Sequence, residues 1–165
     1  MQEIGYDRNL ALAYARRWAL SRNPAYYDFA DVGGDCTSFV SQCIYAGARV
    51  MNYTPTYGWY YISGYDKSPS WSGVGYFYNF MTTNEGVGPY GTETDLGGIL
   101  PGDVIQLGTD RGQFYHTLLL TGMQRVRGRM RYYVSAHNND AYMRPLDSYS
   151  YGSIRFIHIL GARAE

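Results

Sequence analysis

Leu10, Ala11, Tyr14, Ala15 and Trp18 recur at helical spacing, with Asp7 placed to cap the start and Asn23-Pro24 to stop the run. The pattern predicts a first helix over residues 8–22. A second apolar stripe, Phe39, Val40, Cys43 and Ile44, follows Gly33-Gly34-Asp35 and reaches a terminating Gly47. It predicts a helix that opens at or beside Cys36. Val74, Phe77, Tyr78 and Met81 share one face of a third helix over residues 72–81, although Gly73 and Gly75 weaken it. Past residue 100 the pattern changes. Residues 104–107, 115–121, 131–136 and 154–160 are short β-prone runs separated by Gly, Asp and Asn, which predicts an antiparallel sheet. Helices first and strands afterwards give an α+β domain, with N-terminal helices packed on a C-terminal antiparallel sheet. Residues 48–70 and 84–100 are aromatic, Gly-rich and without period, and are candidate walls of a cleft.

The chain has 165 residues, 45% of them hydrophobic, which fits one domain over residues 1–165. A core of that size forms without disulfides or metals. Fourteen Lys+Arg balance 14 Asp+Glu, so there is no broad basic field and nucleic acid is excluded as a partner. No apolar run is long enough to span a membrane, and the first residues lack the basic start and apolar stretch of a signal peptide. A soluble chain is expected, extracellular or cell-wall associated where a longer parent protein carries an export signal. Nineteen tyrosines and three tryptophans point to recognition surfaces.

Chemistry concentrates on Cys and His. Cys36 and Cys43 lie about seven rises of 1.5 Å apart on one helix, too far for a disulfide, so both are expected as free thiols. Cys43 falls on the apolar stripe and reads as a small core residue. Cys36 stands at a helix N-terminus, where unpaired backbone N–H groups favour thiolate, and the glycines before it let a substrate approach the backbone. A nucleophilic thiol needs a base. His116 stands near the entrance of an apolar strand, which favours an accessible ring. His137, after the strand Val134-Ser135-Ala136, could orient a partner imidazole, and Asn138, Asn139 and Asp140 are close by. His158, between aliphatics, reads as structural. No Cys-x-x-Cys, His-Glu-x-x-His, calcium loop or phosphate loop is present, so no metal and no cofactor is expected. The run Arg125-Val126-Arg127-Gly128-Arg129-Met130-Arg131 reads as a basic hairpin tip.

The segment Gly33-Gly34-Asp35-Cys36-Thr37-Ser38-Phe39-Val40-Ser41-Gln42 has several companions. Tyr14-Ala15, Arg22-Asn23-Pro24 and Tyr27 precede it; Ala46-Gly47, Met51-Asn52, Gly58-Trp59-Tyr60-Tyr61 and Pro69-Ser70-Trp71 follow it. Together with Pro101-Gly102-Asp103-Val104-Ile105-Gln106, His116-Thr117 and Ser135-Ala136-His137 with Asp140, it resembles the bacterial putative amidase domain family over most of the chain. In broader terms it is similar to CHAP amidases and NlpC-type cell-wall endopeptidases. The resemblance implies a papain-like cysteine hydrolase acting on amide bonds, with Cys36 as nucleophile, His116 as base and His137 as the third, orienting group. Ser38 stands where many members carry Asn.

The expected substrate is a peptide or peptidoglycan-like amide, and the expected reaction is acylation of Cys36 followed by hydrolysis. Two alternatives are a non-catalytic module that binds cell-wall peptide or glycan through Trp59, Tyr60, Tyr61 and Trp71, and an acyltransferase using the same Cys-His site.

Overall fold

The computed structural model of the chain describes residues 1–165. A short strand β1 (Gln2–Glu3) precedes α1 (Arg8–Trp18) and α2 (Cys36–Ala48). A small hairpin of β2 (Tyr61–Ser63) and β3 (Asp66–Lys67) leads to α3 (Pro69–Ser72) and α4 (Val74–Thr83). The remaining strands are β4 (Gly88–Thr94), β5 (Val104–Gly108), β6 (Phe114–Val126), β7 (Arg129–Ala136), β8 (Ala141–Pro145) and β9 (Ser153–Ala164). They form one antiparallel sheet in the order β1-β9-β5-β6-β7-β8, with β4 also paired to β9. The fold is α+β.

Asp7 caps α1, its carboxylate accepting from the Leu10 N–H at 3.1 Å. The helix stops at Trp18, four residues short of the periodicity, because the Trp18 carbonyl turns to Ser21 N–H and to the His137 ring. α2 is buried along nearly its whole length and ends not at Gly47 but beyond it, at Arg49 in the left-handed region, φ 63°. Gly47 serves a close approach instead. A Cβ there would lie 2.6 Å from the Asp7 carbonyl and 2.7 Å from the Tyr6 ring. The helix expected over residues 72–81 is α4, which starts and ends two residues later; Gly73, in extended conformation, separates it from α3.

Side-chain alternation gives the sheet two different faces. Val104, Leu119, Ile157 and Ile159 meet Phe39, Val40, Cys43, Ile44 and Phe77 in the helix-facing core. Ile105, Leu107, Leu118, Leu120 and Val134 point the other way, where Ile99 and Leu146 cover them. Trp59 and Trp71 lie fully buried in the first core, with ring centroids 4.9 Å apart and the Trp59 indole donating to Ser41 Oγ. The two tryptophans proposed for a binding surface are core residues, their rings spent on packing rather than presented to a ligand.

The Pro101-Gly102-Asp103 turn locks α1, β5 and β9 together. The buried Asp103 carboxylate accepts from the Leu100 and Ile159 N–H groups at 2.8 Å each, from Arg8 at 2.9 Å and from His158 Nδ1 at 2.7 Å. That contact gives His158 the structural role its aliphatic surroundings suggested. The basic run forms a two-residue hairpin between β6 and β7, with positive φ at Arg127 and Gly128.

Candidate active site

Cys36 is the first residue of α2 and lies against β6, with 6% of its surface exposed. Beneath it runs a buried polar chain. Gln106 Nε2 donates to Val74 O at 3.0 Å and reaches Thr117 Oγ1 at 3.2 Å; Thr117 Oγ1 is 2.8 Å from Thr37 Oγ1, which is 3.8 Å from Cys36 Sγ. Arg155 anchors the far end by donating to Gln106 Oε1 at 2.8 Å. One direction satisfies the chain: Gln106 donates to Thr117, Thr117 to Thr37, and Thr37 to sulfur. Cys43 lies fully buried in the helix-facing core, and both cysteines are free.

The loop before Cys36 is clamped by the turn after β7. Asp35 does not cap α2 with its side chain. Its Oδ1 accepts from the Phe29 N–H at 2.9 Å, and its Oδ2 lies 2.5 Å from His137 Nδ1. The other ring nitrogen, Nε2, is 2.8 Å from the Trp18 carbonyl, and the ring stacks on Phe39 at 4.1 Å. A carbonyl only accepts, so Nε2 carries a hydrogen. Asn138 accepts from the Asp35 N–H at 3.1 Å, and its amide fills the space a Cβ on Gly34 would need. Arg22 binds Asp140 through two hydrogen bonds of 2.8 and 3.1 Å, and Asp28 at 3.2 Å.

His116 sits on β6 directly before Thr117. Alternation gives Thr117 the helix face and His116 the face of Leu118 and Leu120. Its ring centroid is 6.2 Å from that of Tyr149, whose buried hydroxyl has no hydrogen-bond partner and whose ring carries the Arg144 guanidinium at 3.7 Å. The structure therefore corrects two expected contacts. No hydrogen bond joins Cys36 to His116. His137 does not orient His116 either, because both of its nitrogens are engaged by Asp35 and Trp18; Asn138 and Asp140 are likewise committed to the loop before Cys36, and Asn139 is exposed.

The electrostatics also differ from the accessible, low-pKa thiol expected at a helix start. Burial pushes the Cys36 thiol up, only partly offset by hydrogen bonds from Thr117 and Thr37. Burial, with Arg144 nearby, pushes His116 down. Both shifts favour the neutral forms, thiol and imidazole. Alkylation of Cys36 by iodoacetamide is expected to keep rising above the pH of an ordinary cysteine, and an acid limb of turnover that reports His116 is expected to lie below that of a free imidazole. Rate measurements from pH 5 to 10 check both; an alkylation plateau near neutrality would contradict the first.

The sequence analysis did not single out Thr37, Thr117, Gln106, Asp35 or Arg22 as functional. One signal was present: Gln106 interrupts the apolar run Val104-Ile105-Gln106-Leu107, and a polar residue within a fully buried strand needs partners. No group of three or more His, Cys, Asp or Glu side chains is arranged to hold a metal ion.

The α+β fold thus holds Cys36 at a helix start against β6, one residue along the strand from His116, which faces the other side of the sheet. The chain belongs to the putative amidase domain family, whose model matches residues 5–160. It is similar to the uncharacterized protein YhbB of Bacillus subtilis (strain 168), 33% identical over 153 residues, covering 83% of this chain and 47% of that protein. The chain thus spans about half the length of that relative. No solved structure matches it.

Proposed function

We propose that the protein is a cysteine-dependent amide hydrolase acting on cell-wall peptides, of the papain-like kind shared by CHAP and NlpC-type enzymes. The observation that carries this reading is the seat of Cys36. It opens a helix whose first turn has no side-chain cap, and it touches Thr117, the residue after His116. In the proposed reaction His116 takes the Cys36 proton as sulfur attacks the scissile carbonyl, and the uncapped Cys36 N–H faces the developing oxyanion. His116 then protonates the leaving amine, and water hydrolyses the thioester. For this step the His116 ring has to come round the edge of β6, which lies free beyond its last pair with β7, Leu119 with Ser135, because in the unliganded chain the ring lies on the other face of the sheet. His137 acts as a positioning residue, fixing the backbone before Cys36 through Asp35. Its role is thus moved from orienting the base to orienting the nucleophile.

The protein mixed with purified peptidoglycan peptides should release new amino and carboxyl termini in equal amounts, followed by amine labelling and mass spectrometry. Absence of new termini on any peptide, with Cys36 intact, would overturn the proposal.

A further inference from the structure

A cavity of about 260 Å³ lies against the loop that leads into α2, lined by Gly33 and Gly34 together with Phe29, Lys67 and Ser72. Gly34 is two residues from Cys36, so their Cα atoms are at most about 7 Å apart. Gly33 and Gly34 have φ of 83° and 100°; Gly33 has open space where a Cβ would stand, so the backbone there can be approached closely, whereas Asn138 packs against Gly34. Lys67 is the chain's one lysine. Its ammonium lies 5.0 Å from the centroid of the Phe29 ring, which holds the side chain over the cavity. It forms no ion pair; the neighbouring Asp28 is paired with Arg22. Ser72, which also lines the cavity, makes no side-chain hydrogen bond within the chain. A cation with no ion-pair partner and a hydroxyl with no hydrogen bond thus line a cavity whose glycine wall begins two residues before the proposed nucleophile.

Resting on the nucleophile reading above, we propose that this cavity is a subsite for a carboxylate, and that the substrate is a peptide bearing a free carboxylate within one residue of the scissile amide, held by Lys67 and Ser72. A single ammonium and one hydroxyl match a monoanionic carboxylate. A phosphate dianion is more often met by several cations or a guanidinium fork. Lys67 is thereby a specificity-determining residue, and its position on the β2–β3 hairpin gives that hairpin a function.

Cys36 itself reports on the subsite. Iodoacetate and iodoacetamide attack the same sulfur and differ in a carboxylate, so their rate ratio at Cys36, divided by the ratio for N-acetylcysteine, measures local preference for an anion. Peptide mapping assigns the alkylated site. At low ionic strength the normalised ratio in the full chain is expected to exceed one. Lys67→Gln should lower it on the order of threefold to tenfold, Lys67→Glu should lower it further, and Lys67→Arg should retain most of it. Unchanged iodoacetamide rates in the variants show that Cys36 and the fold are undisturbed. A ratio indifferent to Lys67→Gln and Lys67→Glu overturns the subsite while leaving the nucleophile in place. A Cys36 inert to both reagents across pH overturns the nucleophile reading and the subsite with it.

Discussion

With Cys36 as the proposed nucleophile, Cys36→Ala is expected to lower amide hydrolysis on the order of 10⁴-fold or more, because the proposed mechanism has no other group to form the acyl intermediate. The fold should hardly notice. Cys36 lies outside both apolar core clusters, and the loss is one sulfur at a helix start, so stability is expected to change by about 1 kcal/mol or less. Release of peptide termini measures the first effect and urea unfolding the second. Cys36→Ala with wild-type turnover would move the chemistry elsewhere.

The largest structural effect is expected at Asp35. Asp35→Ala strips the buried His137 ring of one partner and leaves the Phe29 N–H without its acceptor, at a cost of about 3–5 kcal/mol in unfolding free energy. The loop carrying Gly33 and Gly34 also loses its anchor, so alkylation of Cys36 should change in rate as well. Asp35→Asn behaves differently. Its carbonyl can still accept from Phe29, and its amide can donate to Nδ1 of a neutral ring whose Nε2–H remains on Trp18. The expected loss is about 1 kcal/mol. Urea unfolding of the two variants side by side checks the network; equal losses would show that the Asp35–His137 contact carries no special weight.

Much of this arrangement could be read from sequence where local chemistry decides it. The opening of α2 at Cys36 follows from glycines ahead of a regular apolar stripe, and the cap at Asp7 from a single carboxylate before another. Strand β4 was hidden because Gly88, Pro89 and Gly91 read as loop; only pairing along β9 makes them a strand. The partners of His137 were hidden for a related reason. They come from residues 102 and 119 positions away, and nothing in the polar turn 137–140 indicates that it folds back on the loop before the nucleophile rather than toward His116. The burial of Trp59 and Trp71 likewise depends on α2 and α4 closing over them, whereas aromatic composition alone suits a surface equally well.

The central claim, that Cys36 carries the acyl group during amide cleavage, is tested most directly by acid-quenching the protein during turnover of peptidoglycan peptides and reading intact mass and peptide maps. The account predicts a substrate-derived acyl adduct on the peptide containing Cys36, absent in Cys36→Ala and discharged by hydroxylamine as a thioester should be. Turnover proceeding at an unchanged rate in Cys36→Ala, with no adduct on Cys36 in the wild type at any quench time, would contradict it.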